Sequence, residues 1–129
     1  MAKDKERLYF IHELKVARLL DYPLMVRTYE VHDIGTSFII IMDYIEGVHL
    51  LQYIKLKKRL QESVAIHIAH QILRSVRNLH ELGYVHRDIK PQNVMLKVIR
   101  DEKNIDFKEK YEVILIDFGL CADYRDFSP

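Results

Sequence analysis

Apolar positions near the start of the chain mostly recur every three or four residues: Leu8, Ile11, Leu14, Val16, Leu19 and Leu20, between Lys5 and Leu20. Side chains at that spacing share one face of a helix, so the stretch predicts an amphipathic helix. Asp21-Tyr22-Pro23 stops it, because proline cannot extend the ladder. Two β-rich runs follow, Met25 to His32 and Ser37 to Met42, around Asp33-Ile34-Gly35-Thr36. They predict a hairpin, and the unbroken run Phe38-Ile39-Ile40-Ile41 predicts a strand buried on both faces.

Glu46-Gly47 interrupts the pattern, and His49 to Lys57 reads as a short helix. A longer one is predicted over Glu62 to Leu82, with Ala65, Ile68, Ala69, Ile72, Val76 and Leu79 on one stripe and Gly83 as its C-terminal cap. Tyr84-Val85, Val94 to Ile99 and Val113 to Ile116 are short β-type segments. Between the last two, eight of the eleven residues from Arg100 to Lys110 are charged and their signs cancel, which predicts a solvated hairpin loop. Lys57-Lys58-Arg59 likewise reads as a wet face between helices.

Composition narrows the class. With 129 residues, 49% hydrophobic and 30% charged, the chain has the profile of a folded domain rather than a disordered or collagen-like one. Twenty Lys and Arg against 19 acidic residues leave a net charge of +1, which gives no support to nucleic-acid binding. The single cysteine, Cys121, excludes a disulfide framework and reads as a small packing residue. Phe38 to Met42 is far shorter than the ~20 apolar residues that span a bilayer. The charged N-terminus leads into no signal-peptide core, so an intracellular, cytoplasmic protein without a membrane partner is expected.

Chemistry concentrates in His86-Arg87-Asp88-Ile89-Lys90-Pro91-Gln92-Asn93 and Ile116-Asp117-Phe118-Gly119. Asp88, Asn93 and Asp117 offer hard oxygen donors of the kind that magnesium takes alongside phosphate and water. Lys90 adds a point positive charge beside Asp88, and Pro91 stiffens the loop between Lys90 and Asn93. The apolar flanks, Val94-Met95-Leu96 and Val113 to Ile116, would present these groups at the ends of buried strands. His67 and His70 have a spacing that could hold a metal, but no further ligand set accompanies them, and they read as ordinary helix histidines.

These residues resemble the eukaryotic protein kinase family. His86-Arg87-Asp88 with Asn93, then Asp117-Phe118-Gly119, match its catalytic-loop and magnesium motifs in the right order. Lys90-Pro91-Gln92-Asn93 resembles the serine/threonine type. Glu13 sits where the C-helix glutamate is expected, and Met42-Asp43-Tyr44-Ile45-Glu46-Gly47 resembles the gatekeeper and hinge. Leu60 to His80 and Leu82 to Val85 resemble the helix leading into the catalytic loop. Small-molecule phosphotransferases share a His-x-Asp…Asn…Asp pattern, but Arg87, Lys90-Pro91 and Phe118-Gly119 favour the protein-kinase version.

The resemblance implies an α+β, incomplete two-lobed fold. Residues 1–42 would hold the C-helix and two strands of the small lobe, 43–48 the hinge, and 49–129 the first helices and catalytic loop of the large lobe. It implies ATP and Mg²⁺, a protein substrate with a Ser or Thr hydroxyl, and a regulatory or scaffold partner. Asp88 would be the base, Lys90 would touch the transferring phosphate, and Asn93 and Asp117 would hold the metal. Met42, Asp43, Tyr44, Ile45 and Met95 would receive the adenine, and Arg87 an activation-segment phosphate. His86 and Phe118 read as packing elements. The family's Gly-rich loop and the lysine that pairs with Glu13 match nothing in these 129 residues, and the Ala-Pro-Glu anchor is absent too. The isolated chain is therefore expected to be inactive, of low stability, and apolar on the exposed side of its long helix. The alternative is a non-catalytic kinase-like binding module.

Overall fold

In the computed structural model the backbone is described for residues 2–99, 110–117 and 121–123. Helix α1 (Ala2–Leu19) begins earlier than the apolar spacing predicts, since residues 2–4 carry no apolar mark. In its second half Leu14, Val16 and Ala17 are buried, as is Leu20 just past its end, whereas Leu8, Ile11 and Leu19 are exposed.

The predicted hairpin forms from β1 (Thr28–Asp33) and β2 (Phe38–Met42), paired antiparallel. Its turn is held by the Ile34 N–H on the Ser37 carbonyl and by the Gly35 N–H on the Asp33 carboxylate. The double-sided burial expected of β2 does not occur, since Ile39 is 49% and Ile41 45% exposed. The cause is the sheet itself. It has two strands among the described residues, and one face is covered by α1 through the contact of the Phe10 and Phe38 rings, 4.7 Å apart and tilted by 39°. Strand alternation then sends every second isoleucine to the open side.

A second sheet has the order β3-β5-β6, from β3 (Gly47–His49), β5 (Val94–Ile99) and β6 (Lys110–Leu115), all antiparallel. Strand β3 was not evident from the pattern, where Glu46-Gly47 reads as a break. Gly47 is there because the β5 backbone passes so close that a Cβ would collide with the Leu96 carbonyl. Ile99 pairs with Lys110, so the two strands make the expected hairpin; its charged tip, 100–109, lies outside the described residues.

Helices α2 (Leu50–Lys57) and α3 (Glu62–Glu81) agree closely with the predicted spans, and Lys57, Lys58 and Arg59 between them are exposed as expected. The buried stripe of α3 is shifted from the predicted one. Ile68 and Leu79 are buried, but so are Gln71 and Ser75, while Ala69 is exposed. The two polar residues belong there because they bond a neighbouring edge. Gln71 donates to the Tyr111 carbonyl at 2.9 Å and accepts from the Val113 N–H at 2.9 Å, so its amide acts as a short strand against β6. One turn on, the Ser75 hydroxyl donates to the Leu24 carbonyl at 3.3 Å.

Further along the same edge of β6, Leu115 accepts from the Val26 N–H and donates to the Leu24 carbonyl, each at 3.0 Å. The segment 24–26 therefore joins β6 in parallel, and the edge that would otherwise expose unpaired amides is closed. Around this seam lies the core, with Val16, Leu20, Leu79, Leu96, Val113 and Leu115 among its members. Gly83 ends α3 at a φ of 90°, its N–H on the His80 carbonyl at 2.9 Å. On the far side of α3, Ile66 and Leu73 are exposed, as expected. No helix among the described residues is long and apolar enough to cross a membrane.

Candidate active site

Beyond α3, strand β4 (Tyr84–Val85) pairs with β7 (Ala122–Asp123), bringing the two motif regions together. His86 is then buried, and Arg87 adopts a left-handed φ of 68°. That reversal brings the Asp88 N–H back onto His86 Nδ1 at 3.1 Å. An imidazole accepting on Nδ1 must be neutral. Burial pushes the His86 pKa down, outweighing a backbone hydrogen bond with Asp117 and the charges of Asp117 and Asp88. His86 is thus more than packing: it connects the backbone of the Asp88 loop with the end of β6.

The loop next makes a 3₁₀ turn over Pro91–Asn93, with the Asn93 N–H on the Lys90 carbonyl at 2.9 Å. Proline at the start of that turn gives up an N–H that would have no partner there. Asn93 is 6% exposed, and its Nδ2 donates to the Asp88 carbonyl at 3.0 Å and to Asp88 Oδ2 at 2.9 Å. Its own carbonyl accepts from the Ile116 N–H at 3.2 Å, which ties the loop to the residue before Asp117. Lys90 Nζ lies 3.3 Å from Asp88 Oδ2. Both donors to the carboxylate meet the same oxygen, so Asp88 Oδ1 takes no hydrogen bond from a described residue.

This donor set fits a magnesium ion. Asp88 holds the nitrogen end of the Asn93 amide, and no described residue donates to its Oδ1. A hard amide oxygen and the Asp117 carboxylate are the ligands such an ion takes. Phe118 and Gly119 lie outside the described residues.

The other predicted site residues are spread more widely. Met42 ends β2, half exposed, and Tyr44 is 90% exposed. Asp43 and Ile45 are partly covered, as is Met95 on β5, opposite His49. Asp43 has unexpected partners: Tyr29 donates to its Oδ1 at 2.5 Å and the Arg27 N–H to its Oδ2 at 3.1 Å. The hydrogen bond to Asp43, and then its charge, push the Tyr29 phenol up. Tyr29 gave no signal in the sequence beyond an aromatic ring in a strand. Glu13 lies in α1, its side chain outside the described residues, while His12 before it shares a 2.7 Å hydrogen bond with the Cys121 carbonyl. Since a carbonyl only accepts, His12 donates from Nε2. Cys121 is buried, in keeping with a packing role.

A groove of about 680 Å³ opens elsewhere, between Pro23, α3 and the start of β6. None of the motif residues lines it, so the chemistry and not this hollow locates the site.

Comparison with known proteins bears on the whole chain. Residues 1–128 match the family described as protein kinase domain. The SNF1-related protein kinase catalytic subunit alpha KIN12 of Arabidopsis thaliana is 38% identical over 95 residues, covering 74% of this chain and 19% of the relative. The serine/threonine protein kinase OSK3 of Oryza sativa subsp. indica is 39% identical over 114 residues, covering 88% and 20%. The chain thus spans about a fifth of the length of these curated relatives. Among solved structures, the Rad53 kinase domain with SCD2 superposes with a TM-score of 0.76 at 24% identity, covering 91% of this chain and 41% of that one. That likeness shows the fold.

Proposed function

The chain belongs to the protein kinase domain family, and from that premise we propose that it forms the hinge and catalytic loop of a serine/threonine protein kinase, which transfers the ATP γ-phosphate to a protein hydroxyl. One observation carries the reading: Asp88 has one carboxylate oxygen held by Asn93 and Lys90 and the other unengaged by any described residue. An anchored carboxylate with an open oxygen is what accepting a proton from a substrate hydroxyl requires.

In this reading Asp88 Oδ1 takes the hydroxyl proton as the oxygen attacks phosphorus, while the two anchors keep the carboxylate from rotating. Lys90 places positive charge beside the transferring group, and His86 holds the turn through the Asp88 N–H. Asn93 and Asp117 hold Mg²⁺, which neutralises phosphate charge when bound. Met42, Asp43, Tyr44, Ile45 and Met95 receive the adenine, with residues 43–48 as hinge between a small lobe (1–42) and the start of a large lobe (49–129). Glu13 pairs with a lysine from outside these 129 residues. The relatives' names support the serine/threonine assignment, and a cytoplasmic location belongs to the same reading. A regulatory or scaffold protein is a further partner in this reading.

Transfer of radiolabelled phosphate from ATP to protein substrates, measured on the complete protein, tests this. Asp88→Asn is expected to lower turnover by about 10²- to 10⁴-fold with the fold intact. Undiminished turnover would sink the assignment. The 129-residue chain alone is expected to show none, because it supplies no Gly-rich loop for the phosphates and no lysine to pair with Glu13. A complete protein that never labels substrate, yet retains the same partner with and without Asp88→Asn, would instead favour the non-catalytic binding module.

A further inference from the structure

The groove of about 680 Å³ between Pro23, α3 and the start of β6 has unlike walls. Tyr22, Pro23, Leu24, Val64, Ile99 and Tyr111 give it apolar surface. His67, His70 and Arg74 line it from α3, and their spacing of three and four residues sets them in a row on one helix face. The three differ in what they already hold. His67 Nε2 lies 2.7 Å from the Gln71 amide nitrogen and 3.1 Å from the Tyr111 carbonyl, so it is taken up by the clamp on β6. His70 and Arg74 are exposed, and neither makes a hydrogen bond or ion pair with a described residue.

Charge and spacing select an occupant. Glu112 is the acid among the described residues that line the groove, and Lys97 answers it at 3.7 Å across the β5–β6 pair. Arg74 is left as an unopposed cation, and its planar fork matches a carboxylate. The His70 imidazole has an N–H to donate whether neutral or charged. The two residues are one helical turn apart, about 6 Å along the axis. Alternate residues of an extended peptide are about 6.6 Å apart and point the same way, while the residue between them points to the other side. An extended segment along α3 therefore brings two side chains to His70 and Arg74 and turns the one between them toward Pro23 and Ile99.

We propose that this groove docks an extended acidic peptide of a partner protein, with two carboxylates two residues apart on His70 and Arg74 and an apolar side chain between them against Pro23, Leu24 and Ile99. Apolar surface with a few placed polar groups is what a ligand site offers, and like charge at Arg74 turns a basic segment away. None of the motif residues lines the groove, so the docked segment binds apart from the catalytic loop.

Fluorescence anisotropy on the complete protein tests it. The probes are fluorescein-labelled Gly-Ser-Asp-Leu-Glu-Ser-Gly and two controls, one with Lys-Leu-Lys at its centre and one with Asp-Gly-Glu. The first peptide is expected to bind about tenfold more tightly than either control. Arg74→Glu is expected to erase its advantage over the lysine peptide, and Arg74→Lys to keep part of it, because the charge remains without the fork. His70→Ala is expected to weaken binding about threefold. On the opposite wall, Ile99→Ser is expected to weaken the leucine peptide and leave the glycine peptide as it was, a split that a disturbed α3 would not produce. An acidic preference that survives Arg74→Glu, equal binding of the three peptides, or binding of none overturns the proposal. So does a wild type that sediments as a dimer and becomes monomeric in Arg74→Glu, since a second copy then fills the groove. Phosphate transfer is read in none of these measurements, so their failure leaves the kinase reading standing.

Discussion

Two four-residue runs in this chain read almost alike, Phe38-Ile39-Ile40-Ile41 and Val113-Ile114-Leu115-Ile116, and the fold treats them in opposite ways. Val113 and Leu115 are 0% exposed, whereas Ile39 and Ile41 stand about half in solvent. Hydrophobicity does not separate them; neighbours do. Strand β6 has β5 on one side, the 24–26 segment and the Gln71 amide on the other, and α3 packed against it. Strand β2 has β1 beside it and α1 on one face. The chemistry sits with β6, because a carboxylate held between Asn93 and Lys90 needs a loop that does not move, and buried strands supply that.

Substitutions can break this contrast. The largest effect is expected from Leu115→Ala, which empties a fully enclosed site and should cost about 3 kcal/mol in denaturant unfolding. Next, Gln71→Ala strands the Val113 N–H, while His67 Nε2 stays 3.1 Å from the Tyr111 carbonyl, and is expected to cost about 2 kcal/mol. Amide exchange at Val113 should accelerate with it, and unchanged exchange would mean that the Gln71 clamp does not protect the edge.

A smaller and reversible effect comes from pH. His86 has its folded pKa below its ordinary 6.5, so between the two values the unfolded chain binds a proton that the folded chain refuses. Stability is then full above pH 6.5 and declines as pH falls from there toward the folded value. Replacing the imidazole by His86→Gln should flatten that part of the profile; a slope that persists would assign it to other groups. The smallest effect is expected from Ile39→Thr and Ile41→Thr, each within about 0.5 kcal/mol. A loss comparable to Leu115→Ala would show that the open face of β2 is covered in solution, and the contrast would collapse.

Much of the molecule could be read in advance, for reasons specific to each element. The spans of α2 and α3, the cap at Gly83 and the β1–β2 hairpin depend on neighbours in the chain: periodicity, a positive φ, or a short turn. Asp88, Lys90 and Asn93 fall within six consecutive residues, so their association is almost a local property too. The misses all involve partners far along the chain. Gln71 and Ser75 looked too polar for a buried stripe until the open edge of β6 and the Leu24 carbonyl stood beside them. Gly47 looked like a break until β5 passed across it. Tyr29 looked like any strand aromatic until the Asp43 carboxylate stood beside its hydroxyl.

By itself, then, the order of residues determined most of the elements, the motif loop and the family, since each follows from short-range sterics, hydrophobic spacing or a contiguous set of donors and acceptors. Tertiary structure alone decided which apolar strand is buried and which polar side chains can be buried with it. Those outcomes depend on how many surfaces converge on a residue and on whether an unpaired hydrogen-bonding group waits there, and neither is a property of the residue or its neighbours in sequence.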